Sequence, residues 1–487
     1  MDYLARRAIE IPRAPAVQFK GKTWNYLALH QWADFLAHDL EKKGVHRGAR
    51  VAIYLSNQPA YIALIHALAR IGAIAAPLNL RLTAPELEWQ IEQSDSRFLL
   101  VHKDHEGETL KAKHSANILY LPGEPPPQNA AVLIKETALD AQSPQGIFFT
   151  SGTTGFPKGA VLSLENYYAS AMASAQRLPM QANDLWLLAL PLYHIGGMSI
   201  VFRAAIYGVA ILLHAQFDVE ETLRALTEEN VTHVSLVPTM LRRLLHQRPN
   251  FQPSPALRVI LLGGANCPPD LLQQALDLNL PIALTYGLTE ACSQVATSTP
   301  EETRRKPGSV GAPLPGTTVS IEDEFGRALP AGHVGEIVVR GKTVMSGYLH
   351  QSGTDSPEGE RALRTGDLGY KDEDGDLWTL ARRSDLIVSG GENVYPQEVE
   401  QALARHPAVA ECCVFGVKHP EWGQAVIAAV IQKTPCQEGE LLRFLRSRLA
   451  GYKIPKQILF LQEFPRTASG KIKRNELAKA YQQARKT

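Results

Sequence analysis

Short apolar runs alternate with amphipathic helical patterns between about residues 145 and 290, and this alternation restricts the fold more than any other feature of the chain. The runs have the length and composition of buried strands, and they cover residues 147–150, 185–190, 231–237, 259–262 and 282–285. Strands that are separated by helical connections pair in parallel. The pattern therefore predicts an α/β domain with a mainly parallel sheet.

Helix-start signals occur at the beginnings of several predicted helices. Asp218 and Thr83 each precede a glutamate by three residues, which is the capping-box pattern, and Pro268 stands before an amphipathic run. The N-terminal part repeats the theme with a predicted strand over 50–56 and a predicted helix over 60–72. We therefore expect the large domain to be built from α/β subdomains.

The composition and the hydrophobic pattern of the sequence change after about Val310. Glycines, prolines and alternating runs such as 335–340 predict a small antiparallel β region, and further on Pro396 opens a helix within a compact α+β unit. A chain of 487 residues also exceeds the size at which a single core stops growing. We therefore predict an α/β fold with a large domain over residues 1–383 and a smaller, mobile α+β domain over 384–487.

Charge and cysteine content exclude several classes of function. Charged residues make up 20% of the chain, the net charge is +1, and the two signs are mixed, so neither nucleic acid nor a membrane surface is an expected partner. The five cysteines form no CxxC pair, the first residues have no apolar signal core, and the apolar stretch 200–213 contains Arg203 and is too short to span a bilayer. A cytoplasmic protein is expected, and a homodimer is compatible with the sequence.

The densest chemical signal is the segment 150–159, which directly follows an apolar strand. Its glycines, among them Gly152 and Gly155, let backbone amides approach an anion, and its polar side chains can bind phosphate oxygens. These side chains are Thr150, Ser151, Thr153, Thr154 and Lys158. Pro157 stands where the Walker motif has its second glycine, so this is not an ordinary P-loop. The segment predicts a phosphate-binding loop, with a glycine-rich surface turn as the alternative.

A second motif, Thr285 to Glu290, stands at the end of a predicted strand, where α/β sheets bind their ligands. The carboxylate of Glu290 can hold a magnesium ion that bridges phosphates, because hard cations prefer oxygen ligands. Tyr286 can stack on a base. A helix N-terminus capped by Thr289 is the structural alternative.

Two further segments complete the set. Asp367 is predicted to lie in a tight turn, where its carboxylate can accept both hydroxyls of a ribose; a purely structural turn is the alternative. Arg382 then opens a charged segment that leads into a glycine loop, as a hinge would. Near the C-terminus, Lys471 lies in a basic loop that can neutralise phosphate charge, or else belongs to a solvated tail.

In order and spacing, these four segments resemble the adenylate-forming superfamily of acyl-CoA synthetases, luciferases and peptide-synthetase adenylation domains over nearly the whole chain. The resemblance implies ATP, Mg²⁺, a small carboxylic acid and coenzyme A as ligands. It assigns the metal to Glu290, the ribose to Asp367, a nucleotide contact to Arg382 and catalysis of adenylation to Lys471, with Lys158 also in a catalytic role. The remaining residues implied around the nucleotide are Gly263, Gly264, Ala265, Thr285, Tyr286, Gly287 and Thr289.

The resemblance also implies two chemical steps. An acyl-adenylate forms first, with loss of pyrophosphate, while Lys471 is in the site. The small domain then rotates about a hinge at Ser384 and Asp385, and the Gly390-Gly391 segment comes to the site and opens a tunnel for the thiol of coenzyme A. Trp422 is the implied aromatic contact of coenzyme A, and a buried structural tryptophan is the alternative.

Five further sequence segments indicate which class of acid the chain uses, among them residues 188–199, 260–265 and 286–294. They are similar to acyl-CoA ligases of quinone biosynthesis whose acid carries a second, aromatic carboxylate, and such a pocket must neutralise an extra anion. The implied substrate residues are His194, Ser199, Arg203, Gly263, Thr285, Ser293 and Gln294. His194 is also implied to be catalytic, at the mouth of the tunnel and in contact with the reacting carboxylate.

Alternatives remain at this level. Arg203 taken alone has an ordinary surface salt bridge as its expected role. An aryl, fatty or malonate-type acid is the alternative substrate, and a non-catalytic nucleotide-binding relative is the alternative from another functional class. Such a relative is expected to lack Lys471 or Glu290, and both are present.

Overall fold

The computed structural model describes residues 1–102, 114–122, 125, 139–151, 157–265, 267, 269–350, 361–382, 387–394, 396–465, 472 and 474–484. Within these residues the chain forms two large sheets flanked by helices, a small antiparallel sheet and a separate C-terminal unit. This is the α/β architecture that the sequence predicted.

The largest sheet contains most of the strands predicted between residues 145 and 290. Its strands are β1 (Pro15–Phe19), β2 (Lys22–Asn25), β9 (Leu185–Leu188), β10 (Ala210–Leu213), β11 (His233–Leu236), β12 (Val259–Leu262), β13 (Ile282–Leu288) and β14 (Ser293–Thr297). They lie in the order β14-β13-β12-β11-β9-β10-β1-β2. The six inner strands run parallel, and only the edge strands β14 and β2 are antiparallel to their neighbours. The predicted parallel sheet is confirmed.

The second sheet has seven strands. They are β3 (Arg50–Tyr54), β4 (Ile74–Pro77), β5 (Phe98–Val101), β6 (Asn117–Tyr120), β7 (Pro144–Ser151), β8 (Pro157–Ser163) and β17 (Gly347–Tyr348), in the order β17-β8-β7-β4-β3-β5-β6. Strands β7 and β8 form an antiparallel hairpin in which Thr150 lies opposite Lys158. The described parts of the predicted phosphate-binding segment, residues 150–151 and 157–159, lie in these two strands.

Helices cover these two sheets. They are α1 (Tyr3–Glu10), α2 (Tyr26–Lys42), α3 (Pro59–Ile71), α4 (Ala84–Gln93), α5 (Leu164–Arg177), α6 (Ile195–Tyr207), α7 (Val219–Glu228), α8 (Pro238–Gln247), α9 (Pro269–Asp277) and α10 (Pro300–Arg305). Two predicted helix starts are confirmed, because Asp218 accepts a hydrogen bond from the Glu221 amide at 2.9 Å and Thr83 forms a complete capping box with Glu86. The third, at Pro268, lies outside the described residues.

The predicted antiparallel β region is a four-stranded sheet. Its strands are β15 (Thr317–Glu322), β16 (Gly335–Gly341), β18 (Ala362–Lys371) and β19 (Leu377–Arg382), in that order. The predicted tight turn at Asp367 is wrong, because Asp367 lies inside β18 and pairs with Arg382 in β19. Gly366 has a φ of +72° and the register shifts beside it, so the bend is a bulge within a strand.

The C-terminal unit has its own cores. Its strands are β20 (Ile387–Ser389), β21 (Glu392–Val394), β22 (Val409–His419), β23 (Gly423–Gln432) and β24 (Gln457–Phe460), and its helices are α11 (Pro396–Ala404), α12 (Glu438–Arg446) and α13 (Arg474–Ala484). The predicted domain boundary between residues 383 and 384 lies outside the described residues and stays a prediction. No described helix is both long and apolar enough to cross a bilayer.

Candidate active site

A cavity of about 290 Å³ opens where the parallel strands β9, β11, β12 and β13 end. Ligands of α/β sheets bind at this edge because the chain departs from the sheet there and leaves a crevice. Twelve of the predicted site residues line it: Thr150, His194, Arg203, Gly263, Gly264, Thr285, Gly287, Thr289, Glu290, Ser293, Gln294 and Gly391. The C-terminal unit also contributes Glu392, Tyr452 and Lys453, so the cavity lies between the two parts of the chain.

Glu290 joins the first two motifs. Its Oε1 atom accepts hydrogen bonds from Thr150 Oγ1 at 2.8 Å and from the Tyr348 hydroxyl at 2.9 Å. The ammonium of Lys158 lies 5.1 Å from the centre of the Tyr348 ring, which is cation–π distance. The residues predicted to hold phosphates and a metal ion therefore meet, although they are 140 positions apart in the chain.

A different contact joins the second and third motifs. The Tyr286 hydroxyl donates a hydrogen bond of 2.7 Å to Asp367 Oδ2. Asp367 is only 5% exposed, and Tyr286 lies on β13 three residues before the start of the turn that contains Glu290. The predicted ribose and base residues are therefore neighbours, although neither lines the cavity itself.

A sharp hairpin between β13 and β14 places Glu290 and Gln294 on the cavity wall. A 3₁₀ turn over Thr289–Ala291 connects the strands, which excludes the alternative of a longer helix capped by Thr289. Gly287 is required because a Cβ atom there would lie 1.8 Å from the Ser293 carbonyl oxygen. We call the part of the cavity around Thr150 and Glu290 the phosphate end and the part around Arg203 and Gln294 the acid end, after the ligands that the sequence predicts for them. Since both Glu290 and Gln294 face the cavity, one short hairpin contributes to both ends.

Arg203 lies at the acid end of the cavity and is only 2% exposed. Its guanidinium donates to Ser170 Oγ at 3.2 Å and lies 6.0 Å from the Trp186 ring, while Nε has no hydrogen-bond partner. Among the described residues no carboxylate pairs with it. The expected surface salt bridge is therefore wrong: burial lowers the pKa of this guanidinium, and a buried cation without an anion is costly.

Polar neighbours surround the same region. Gln294 donates from Nε2 to Thr297 Oγ1 at 3.0 Å, and its buried Oε1 has no partner. Thr285 Oγ1 lies 2.8 Å from Thr297 Oγ1. Ser199, by contrast, donates back to the Gly196 carbonyl within its own helix and does not line the cavity. The structure thus brings together most of the predicted acid-binding residues and leaves Ser199 aside.

The C-terminal unit closes the cavity with the segment that follows β20. Gly391 has a φ of +82°, and Glu392 lies between His194 and Arg81, with Oε2 3.4 Å from His194 Nε2 and Oε1 3.1 Å from the Arg81 guanidinium. Burial by itself would raise the pKa of Glu392, but His194 and Arg81 outweigh burial and hold it below the ordinary value. His194 is therefore oriented by a residue of the other unit.

Trp422 lies behind this segment. Its carbonyl accepts a hydrogen bond of 2.9 Å from the Gly390 amide, and the Lys456 ammonium lies 3.8 Å from the centre of its ring. The side chain is only partly buried, so the alternative of a buried structural tryptophan is wrong. A partly exposed indole with an adjacent cation can bind an aromatic, anionic group.

Several predicted residues do not line the cavity. Among the candidates that lie away from the cavity lining are Lys158, Ala265, Gly390 and Trp422. Lys471, the hinge pair Ser384 and Asp385, and the loop residues Gly152, Thr153, Thr154 and Gly155 lie outside the described residues. For Ser151 and Arg382 the structure describes the backbone alone.

Sequence reasoning missed five residues that contact the site: Arg81, Tyr348, Glu392, Tyr452 and Lys453. Glu392 could have been predicted from the sequence, because it directly follows the Gly390-Gly391 pair that the resemblance assigns to coenzyme A. The others carry no local motif, and only the packing of distant segments reveals them.

The fold and the site define a nucleotide-dependent enzyme with a two-part chain. Residues 4–349 match the AMP-binding enzyme family, and residues 398–471 match the AMP-binding enzyme C-terminal domain. The chain therefore belongs to the AMP-binding enzyme family, as the resemblance of its motifs predicted.

Relatives with assigned activities cover nearly the whole chain. A 2-succinylbenzoate–CoA ligase of Bacillus licheniformis is 39% identical over 484 residues, which is 98% of this chain and 99% of that protein. A double mutant of o-succinylbenzoate CoA synthetase from Bacillus subtilis, bound with the product analogue OSB-NCoA, is 37% identical with a TM-score of 0.90, covering 98% of this chain and 97% of that one.

The same Bacillus subtilis enzyme in complex with ATP and magnesium ion is also 37% identical, covering 98% of this chain and 99% of that one, but its TM-score is 0.73. Because identity and coverage hardly differ between the two comparisons, the lower score reflects a difference in structure rather than in sequence.

Proposed function

We propose that the chain is a 2-succinylbenzoate–CoA ligase, which converts 2-succinylbenzoate, ATP and coenzyme A into the CoA thioester, AMP and pyrophosphate in menaquinone or phylloquinone biosynthesis. The observation that carries this substrate is Arg203, a buried cation at the acid end of the cavity for which no described residue supplies a carboxylate. The aromatic carboxylate of 2-succinylbenzoate supplies that anion. The 39% identity to a ligase of this name supports the same assignment.

In the first step the aliphatic carboxylate of the substrate attacks the α-phosphorus of ATP, and the bond to pyrophosphate breaks. Thr150 and Lys158 hold phosphate oxygens, Asp367 accepts the ribose hydroxyls, and Lys471 balances the charge that develops on the α-phosphate. Asp367 already accepts the Tyr286 hydroxyl, so one of its oxygens is oriented before the nucleotide enters.

Glu290 and Thr150 fit a magnesium ion by their chemistry, since both present oxygen atoms at the phosphate end of the cavity and hard cations prefer such ligands. Mg²⁺ bound there would offset the charge of the phosphates. Tyr348 keeps the carboxylate of Glu290 directed toward this end by donating to Oε1.

In the second step the thiolate of coenzyme A attacks the acyl carbonyl carbon, and the bond to AMP breaks. The Gly391 backbone and His194 border the path of the thiol, and Glu392 holds the imidazole of His194 in place. This assignment is supported by the TM-score of 0.90 with the relative that is bound with the product analogue OSB-NCoA, which is higher than the score of 0.73 with the complex of ATP and magnesium ion.

Lys456 and Trp422 form the proposed contact for the nucleotide end of coenzyme A. Replacing Lys456 by methionine is expected to raise KM for coenzyme A about tenfold, because a charge-assisted contact to phosphate is lost, and to leave pyrophosphate release unchanged. Thioester formation from pantetheine, which lacks the nucleotide, should be unaffected. Lys433→Met, an exposed site in the same unit, is the matched control. An equal loss with pantetheine would contradict this role.

The proposed reaction is tested by measuring pyrophosphate release and thioester formation from ATP, Mg²⁺ and coenzyme A, with 2-succinylbenzoate beside benzoate, malonate and medium-chain fatty acids. We expect turnover of 2-succinylbenzoate alone, with the thioester at the aliphatic carboxylate. Turnover of only another acid would reject the quinone pathway and keep the two-step chemistry.

A reducing cytoplasm as the location is part of this proposal, and it is supported by five cysteines that form no disulfide. A homodimer is proposed as the oligomeric state, and sedimentation of the purified chain measures it directly.

A further inference from the structure

A buried ammonium bridges the two parts of the chain at the wall of the cavity. Lys453 lies in the short 3₁₀ turn Gly451–Lys453, and its Nζ lies 2.9 Å from Glu86 Oε1 and 2.8 Å from Glu398 Oε1. Glu86 belongs to α4 of the large domain and Glu398 to α11 of the C-terminal unit. We call these three residues the interdomain bridge.

Water is largely excluded from the interdomain bridge, since the side chains of Lys453, Glu86 and Glu398 are 5%, 10% and 12% exposed. Burial opposes the charge of Lys453, but the two carboxylates outweigh it and raise the pKa of the ammonium. Ion pairs at the surface contribute little, whereas removing one partner of a buried pair is strongly unfavourable. The contact therefore differs from an ordinary surface salt bridge.

Glu86 is positioned for this contact by its own helix. Its Oε2 atom accepts the Thr83 amide at 2.9 Å and the Thr83 hydroxyl at 3.0 Å in the capping box, which directs Oε1 toward Lys453. The carboxylate is thus oriented before the C-terminal unit docks, and less side-chain entropy is lost when the bridge forms.

The same short segment of the large domain, residues 81–86, makes further contacts to the C-terminal unit beside the cavity. Arg81 pairs with Glu392 and lies 4.9 Å from the centre of the Tyr452 ring, and the Thr83 hydroxyl oxygen lies 3.1 Å from the Arg448 carbonyl oxygen. All of these contacts exist in the arrangement in which Gly391 lines the cavity.

We propose that Lys453 and Glu86 are positioning residues that hold the C-terminal unit in the orientation used for thioester formation, without acting in adenylation. The inference rests on the proposed two-step function. If the unit rotates during the cycle, the two residues separate and the bridge stabilises only one of the two orientations. Its strength then sets the population of the thioester-forming state, and hence the rate of the second step alone.

The test uses Glu86→Gln, which keeps an acceptor oxygen for the capping box and removes the charge that pairs with Lys453. Rapid-quench measurements follow pyrophosphate release in the first turnover, and then thioester formation after coenzyme A is added to the preformed adenylate. We expect the thioester rate constant to fall about tenfold while the adenylation rate constant changes less than about twofold. Glu92→Gln, an exposed site on the same helix, is the matched control and should change neither.

A double-mutant cycle with Lys453→Met separates the pair from effects on either residue alone. If the two residues act through each other, Glu86→Gln adds little to the loss in thioester rate that Lys453→Met causes. The inference is overturned if Glu86→Gln slows both steps equally, slows neither, or adds its full effect to Lys453→Met. Failure of the proposed function is seen separately, as wild-type turnover of a different acid, and the same two-step measurement with that acid still tests the bridge.

Discussion

Replacing Arg203 by methionine is expected to lower kcat/KM for 2-succinylbenzoate by about 10²- to 10³-fold, because the aromatic carboxylate would then be buried without a cation. Methionine fills a similar volume, so the buried helix α6 should still pack. The measurement is steady-state thioester formation with saturating ATP and coenzyme A.

The matched control for this substitution is a substrate rather than a second variant. The analogue 4-oxo-4-phenylbutanoate has the same skeleton without the aromatic carboxylate, so it has no anion to place beside Arg203. The variant should use this analogue at least as well as the wild type does. If Arg203→Met lowers activity with both acids by the same factor, Arg203 supports the fold and does not select the substrate.

Replacing Glu290 by glutamine is expected to lower the rate constant for pyrophosphate release by about 10²- to 10³-fold and to raise the Mg²⁺ concentration needed for half-maximal rate. Glutamine keeps an oxygen that can accept from Thr150 and Tyr348, but it loses the negative charge that attracts the metal ion. A magnesium titration of pyrophosphate release in the absence of coenzyme A measures both effects.

Tyr348→Phe is the companion to that variant. It removes one of the two hydrogen bonds to Glu290 Oε1 and leaves the carboxylate charge in place, so the loss should be about tenfold or less. A Glu290→Gln enzyme with an unchanged magnesium dependence would show that Glu290 acts only through its hydrogen bonds to Thr150 and Tyr348.

Local sequence patterns predicted the structural features that are determined by residues close together in the chain. The strands of the main sheet follow from apolar runs between helical segments, and Glu290 could be placed because a strand end in a parallel sheet is also a ligand edge. Asp367 was placed in a turn incorrectly, because a bulge depends on pairing with β16 and β19, which no local pattern records.

Burial and distant contacts were the features that the sequence could not supply. Arg203 interrupts an apolar stretch, and only the packing of α6 decides whether the side chain reaches water. Lys453 and Glu86 are 367 positions apart, and they meet because two separately folded units dock in one orientation. Both cases require the arrangement of whole elements, which exceeds the range of helix and strand periodicity.

The hairpin between β13 and β14 connects the two ends of the cavity. Glu290 stands at the phosphate end and Gln294 at the acid end, and the close approach of Gly287 to Ser293 keeps the turn between them short. The separation of the two ends is therefore a property of one rigid covalent segment. A residue inserted into this turn would therefore displace the magnesium-binding glutamate and the acid-binding glutamine together.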